Sequence, residues 1–230
     1  MPTKIELCQQ LHQELKIAGT LSTTVGNIGQ LDRLCNAIVK ADRFIQMLYT
    51  DWKFLWREWE NTLVEDKSSY SPPQGIGAFD ENSFWLDAGT EEAYKINYAD
   101  YKRWRDELRH IYTESDSEPF YVVIKPNNSV IFTPTPNSVA AGKVVTADYW
   151  LAPVELKDDG QISLIPEQFH DAIVAMGKYY YGEYTQNSEL QYSALQQYTP
   201  ILKKLEAHSL PGRFDDNKNE SSFPKTIVVE

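Results

Sequence analysis

Apolar side chains recur three or four residues apart at Ile5, Cys8, Leu11, Leu15 and Ala18, the spacing of one helix face, so the chain opens with a predicted helix over residues 2–18. Thr3 with Glu6 reads as its capping box and Gly19 as its stop. Residues 19–29, rich in Gly, Ser, Thr and Asn, read as a loop. A longer helix opens near Gln30, with Leu31, Leu34, Cys35, Ile38, Ile45, Leu48 and Trp52 in the strongest periodic run of the chain. Leu55, Trp56 and Trp59 continue that stripe, whereas Trp59, Asn61 and Leu63 alternate as a strand does; a switch to strand is expected between Phe54 and Trp59. Residues 68–77, with Pro72, Pro73 and two glycines, are expected to form a surface loop.

The middle of the chain reads as β with one short helix. A strand is expected over 83–86, then a helix over 98–109 with Tyr101, Trp104 and Leu108 on one side. Residues 120–125 and 129–133 flank Pro126-Asn127-Asn128 and predict a hairpin. Residues 144–151 alternate and are expected to add a third antiparallel strand, because a lone hairpin is marginally stable. Helix returns after Pro166, with Phe169, Ile173, Met176 and Tyr180 at helical spacing, and again over 188–206, where Pro200 predicts a kink or break. The fold class is therefore α+β, mainly α: a helical bundle body with an inserted small antiparallel β-sheet and an extended C-terminal tail. Residues 1–208 are read as a single domain, helical over 1–57 and 166–208 with a β-rich insertion at about 58–155, and 209–230 as the tail. The tail is polar from Asp215 to Ser222, yet carries Phe214, Phe223 and the β-prone run Ile227-Val228-Val229.

Charge narrows the function classes. With 22 Lys+Arg against 33 Asp+Glu the net charge is −11, the opposite of what a phosphate-binding module or an anionic membrane surface demands. Six Trp, 14 Tyr and 9 Phe supply large buried and interfacial area, which suits a protein with a core and sizeable contacts. Cys8 and Cys35 fall on apolar stripes and read as buried free thiols. No membrane-length apolar run or signal-peptide plan is present, so the chain is expected in a reducing cytosol until it is assembled into something. The four histidines, His12, His110, His170 and His208, lack metal-ligand spacing, and no nucleophile elbow, P-loop or dinucleotide signature occurs; no catalytic residue, metal or cofactor is assigned. The acid pairs Glu91-Glu92 and Asp158-Asp159 carry the residue types of glycoside hydrolysis but sit in polar, loop-like segments. Trp52, Phe54, Trp56 and Trp59 have the composition of a stacking platform, yet acids offset their cations, and packing between helix and sheet as a core aromatic cluster is the favoured reading.

Several segments together resemble the head-to-tail adaptor (connector, tail-accessory) family of tailed-phage virions. They are Glu6-Leu7-Cys8-Gln9-Gln10-Leu11, the turn Val25-Gly26-Asn27-Ile28-Gly29-Gln30-Leu31, Asp51-Trp52-Lys53-Phe54, Phe132-Thr133-Pro134-Thr135-Pro136, Tyr149-Trp150-Leu151-Ala152-Pro153-Val154, and Leu164-Ile165-Pro166-Glu167-Gln168-Phe169-His170, in that order. The resemblance implies a structural, non-enzymatic virion protein of the neck, made in the host cytoplasm. It would form a ring, commonly of twelve copies, beneath the portal and continue the DNA channel. Its partners would be its own copies, the portal and a downstream tail or nozzle protein, with DNA passing without specific binding and no membrane involved. The C-terminal segment, here Ser209 to Glu230, would grip the portal; Phe214, Phe223, Ile227, Val228 and Val229 are the candidate contacts within it, of which the Ile227-Val228-Val229 end lies outside the family's pattern. Acidic walls agree with passage of DNA, because attractive phosphate contacts would hold it. A tail-completion or tail-tube component is the alternative within the virion; a glycan-binding or cell-wall-degrading tail protein is the alternative of another class.

Overall fold

The computed structural model describes residues 1–111 and 118–210. Two helices open the chain, α1 (Lys4–Leu15) and α2 (Gln30–Met47). Thr3 and Glu6 form the reciprocal capping box, the Thr3 N–H donating to the Glu6 carboxylate at 2.7 Å. α1 ends at Leu15, before Gly19, because Lys16 takes the left-handed conformation (φ 51°) and its N–H turns back to the Gln13 carbonyl. The apolar stripe of α2 runs past the end of the helix. Beyond Met47 the chain reverses, and the indole N–H of Trp52 donates to the Ile45 carbonyl at 3.0 Å, filling one of the acceptors a helix end leaves open. One 3-10 turn (Lys53–Leu55) then delivers the chain into β1 (Trp56–Thr62), inside the expected window for the switch.

The strands that follow are β2 (Ser69–Tyr70), β3 (Ile76–Phe79), β4 (Trp85–Leu86), β5 (Tyr94–Lys95), β6 (Asn97–Tyr98), β7 (Tyr121–Ile124), β8 (Val130–Thr133) and β9 (Val144–Leu151). They build two sheets, not one. The first runs β1-β9-β4-β5 with β3 also on β9; the second runs β2-β8-β7-β6. The β7–β8 hairpin forms as expected, but β9 is not its third strand. β9 pairs with β1 along the whole of β1, Trp56 opposite Trp150 through Thr62 opposite Val144, because these two long alternating strands match in length and in buried face. The hairpin is flanked by β2 and, in parallel, by β6. The stretch 68–77 is likewise not all loop. Tyr70 is buried edge-on to Phe132 with ring centroids 5.4 Å apart, and its hydroxyl accepts the Val64 N–H, which holds β2 in the sheet despite the prolines that follow.

Side chains of both sheets meet in one aromatic core, Trp59, Phe79 and Tyr149 from the first and Tyr70 and Phe132 from the second, with Phe84 added from just before β4. A smaller cluster of Ala99, Leu108, Val123 and Ile131 lies under a helical segment, α3 (Tyr101–Arg103), a π turn (Trp104–Leu108) and α4 (Arg109–Ile111).

The chain returns to helix through a 3-10 turn (Glu167–Phe169) just after Pro166, then α5 (His170–Tyr184) and α6 (Ser188–Ser209). Pro200 does not end α6: it and Gln196 lie on the exposed side, so water reaches the carbonyl that lost its donor. α1, α2, α5 and α6 enclose a second, larger core of Leu7, Leu11, Leu34, Ile38, Ile45, Ile173 and Leu205. Gly177 sets the spacing, since a Cβ there would stand 2.8 Å from Ile38 Cδ1 and 3.2 Å from Leu11 Cδ2. Cys8 and Cys35 are buried and unpaired by a disulfide; their mutual hydrogen bond and burial hold the Cys8 thiol protonated.

One polar cluster joins the helices to the chain returning from the sheets. Asp42, fully buried on α2, accepts from the Ser163 hydroxyl at 2.5 Å and from the Gln46 amide at 2.7 Å. Gln46 in turn donates to the Val154 carbonyl at 3.1 Å and accepts the Val154 N–H at 2.9 Å, as a β-ladder partner would. Burial, only partly offset by these donors, pushes Asp42 up to about 6 from an ordinary carboxyl near 3.8. The raised value means that ionised Asp42 costs stability: the penalty is absent below the unfolded value near pH 4 and complete above pH 6, a span worth about 3 kcal/mol. Asp42→Asn is expected to gain about 3 kcal/mol relative to wild type between pH 4 and pH 7, read by denaturant unfolding at the two pH values; a flat difference contradicts it.

Candidate functional site

Residues 56–62 carry both a buried and a presented face. β1 is the outermost strand of its sheet, and no described strand pairs its other edge. Side chains alternate along it, so Trp59 points into the aromatic core at 6% exposure while Trp56, Glu58 and Glu60 stand on the solvent side. Trp56 is 47% exposed, which removes it from any core aromatic cluster: three residues before Trp59 is odd parity in a strand and gives the opposite face. Trp52 and Phe54 stack at 5.1 Å in the helical core. The four aromatics are thus divided among two cores and the surface. Trp85 of β4, 41% exposed, lies on the same outward face as Thr146 and Glu60.

The charge is unevenly distributed. Residues 56–151 hold 16 Asp/Glu and 9 Lys/Arg, so 16 − 9 leaves −7 of the total −11 on the β-rich part. Lys143 is the local exception. Its ammonium lies 2.7 Å from Glu118, 3.3 Å from Glu92 and 3.8 Å from Asp87, and the hydrogen bond to Glu118 leads in raising its pKa. It ties the start of β9 to the segments before β5 and β7. Glu92 of one acid pair is therefore spent on Lys143. In the other pair, Asp159 accepts from the Thr23 hydroxyl at 2.6 Å and from the Thr24 N–H at 2.9 Å, and also from the Thr24 hydroxyl. Those three donors hold its carboxyl below the ordinary range. Neither pair presents two free carboxylates across a cleft.

His170 is buried with its Nε2–H donating to the Ile165 carbonyl at 2.8 Å, and His12 is a half-buried residue of α1; among the described residues no three His, Cys, Asp or Glu are placed to hold a metal ion. Among them, too, no helix is long and apolar enough to cross a membrane. The tail residues Phe214, Phe223, Ile227, Val228 and Val229 lie outside the described residues. Ser209 and Leu210 are buried in the helical core, so the packed body continues through Leu210.

The tethering residues Asp42, Lys143 and Asp159 escape a reading based on apolar periodicity. The one legible signal is Asp42 itself, an acid four residues after Ile38 and three before Ile45, on the apolar stripe of α2, where a charge needs partners. Compared with known proteins, residues 12–217 match the family described as SU10 adaptor protein. No curated protein matches the chain. The two faces of β1 give a direct test: Trp59→Ala is expected to cost about 3–5 kcal/mol and Trp56→Ala about 1 kcal/mol or less in urea unfolding, whereas equal losses would contradict the assigned strand register.

Proposed function

The chain belongs to the SU10 adaptor protein family, a phage adaptor family, and on that premise we propose that it assembles as a ring, of twelve copies, below the portal and continues the DNA passage toward the tail. The family match over 12–217 is the observation that carries this reading. The helical part supplies the ring body, and the β-rich part reaches toward the downstream tail or nozzle protein. The excess of carboxylates over residues 56–151 supports a surface that DNA passes without adhering, since a wall that neutralised phosphates would retain it. Exposed acids such as Glu65, Asp66 and Glu91 belong to this part.

Residues 211–230 are proposed to grip the portal, with Phe214, Phe223 and Ile227-Val228-Val229 as the apolar anchors and the polar stretch between them as spacer. No reaction is proposed for the protein, and no cofactor. Removal of residues 211–230 leaves Ser209 and Leu210 in the core, so the shortened chain is expected to melt like the full one. In a pull-down on purified portal rings it should bind at least tenfold more weakly than the full chain; equal binding would remove the tail from the portal contact.

A further inference from the structure

An apolar cleft of about 310 Å³ opens where the end of α2 meets the first sheet. Met47, Tyr49, Ala78, Trp150, Leu151 and Pro153 are among the residues that line it, and no charged side chain takes part. Its volume stands at the lower end of the ~300–1,000 Å³ of ligand pockets, room for one large apolar side chain. Met47, the last residue of α2, is 61% exposed, so the cleft opens to solvent.

The end of α6 lies beside this cleft. Tyr49, which lines it, donates its hydroxyl to Glu206 Oε1 at 2.7 Å, and Trp52 meets the Tyr49 ring edge-on with centroids 5.1 Å apart. The His208 ring lies 5.4 Å from that of Phe169, so α6 ends where the chain returns from the sheets into α5. Glu206 belongs to the last turn of α6, and Leu210 follows about 6 Å further along the axis. Leu210 is buried and extended, with φ −101° and ψ 129°, the conformation favoured before a proline, so the chain leaves the helix axis there. Phe214 is the first large apolar residue that the sequence places after it. Four extended residues span up to about 13 Å, twice the rise between Leu210 and the residue that holds Tyr49.

We propose that in the unassembled chain the ring of Phe214 occupies this cleft. The occupant is the chain's own segment and not a second copy. A cleft that takes one side chain falls far short of the roughly 800 Å² per partner that a stable contact between separate molecules buries. A side chain tethered four residues from a fixed point meets the cleft at an effective concentration in the mM range, so a single apolar group suffices. On the portal reading above, Phe214 exchanges this seat for the portal; the seat itself is a property of the free chain and requires neither portal nor ring.

Trypsin acting on the full native chain, without portal, tests the seat. The bond after Arg213 adjoins Phe214, and the bond after Lys218 lies beyond it as an internal reference. Phe214→Ser empties the cleft from the tail side; Ala78→Phe, at an exposed position of β3, fills it from the sheet side and leaves the cleaved sequence intact. Each should raise cleavage after Arg213 at least tenfold relative to cleavage after Lys218, the release of one buried aromatic side chain, and the two together should raise it no further. Melting should move by no more than about 4 °C in either variant. An unchanged ratio in both variants, or a rise with Phe214→Ser alone, overturns the seat and leaves the portal reading standing. Portal binding that fails while both variants raise the ratio overturns the portal reading and leaves the seat.

Discussion

The buried contact of Asp42 and Gln46 with Ser163 and Val154 is the constraint on which the arrangement depends. The chain leaves the helices after α2, builds two sheets, and must return to α5 in a defined place. Hydrophobic burial is non-directional and cannot specify that place alone. The side chain of Gln46, bonded to both backbone groups of Val154, fixes the returning segment, and Asp42 fixes Ser163 further on. A charge buried for this purpose is tolerable because each carboxylate oxygen has a donor, and it still carries a desolvation cost that shows in its raised pKa.

From that junction the two cores follow. Leu151 packs against both, so the end of β9 is where the sheets hand over to the helices. The polar ties on either side, Lys143 with its three carboxylates and Asp159 with the two threonines, restrain segments that have little apolar area of their own. The features presented at the surface are a strand edge that no described strand pairs, outward Trp56 and Trp85, the exposed Val25 and Ile28 of the loop between α1 and α2, and an apolar cleft.

Local chemistry was legible where one face or one cap decides the outcome. The Thr3–Glu6 box, the α2 stripe from Leu34 to Ile45, the β7–β8 hairpin and the length of β9 can all be read from spacing. Pairing between distant strands cannot, because alternation states that residues 144–151 form a strand and not which strand lies beside it. The same limit applies to Trp52, which continues a helical stripe in sequence but caps the helix from outside it. Tyr70 shows the converse: one buried aromatic outweighs two prolines and two glycines in deciding that a segment joins a sheet. Of the surface, the acidic balance and the Val25–Gly29 turn were visible as patterns, but exposure, and so the division of Trp56 from Trp59, is a property of the folded pairing.

What unites these features is the claim that the chain works as an adaptor in many copies on one portal ring. Native mass measurement of the purified complex tests it most directly. The account predicts that portal gains a fixed multiple of the 26.5 kDa chain, twelve copies, at saturation. A portal that gains no mass, or gains a variable number of chains with no closed stoichiometry, would contradict it.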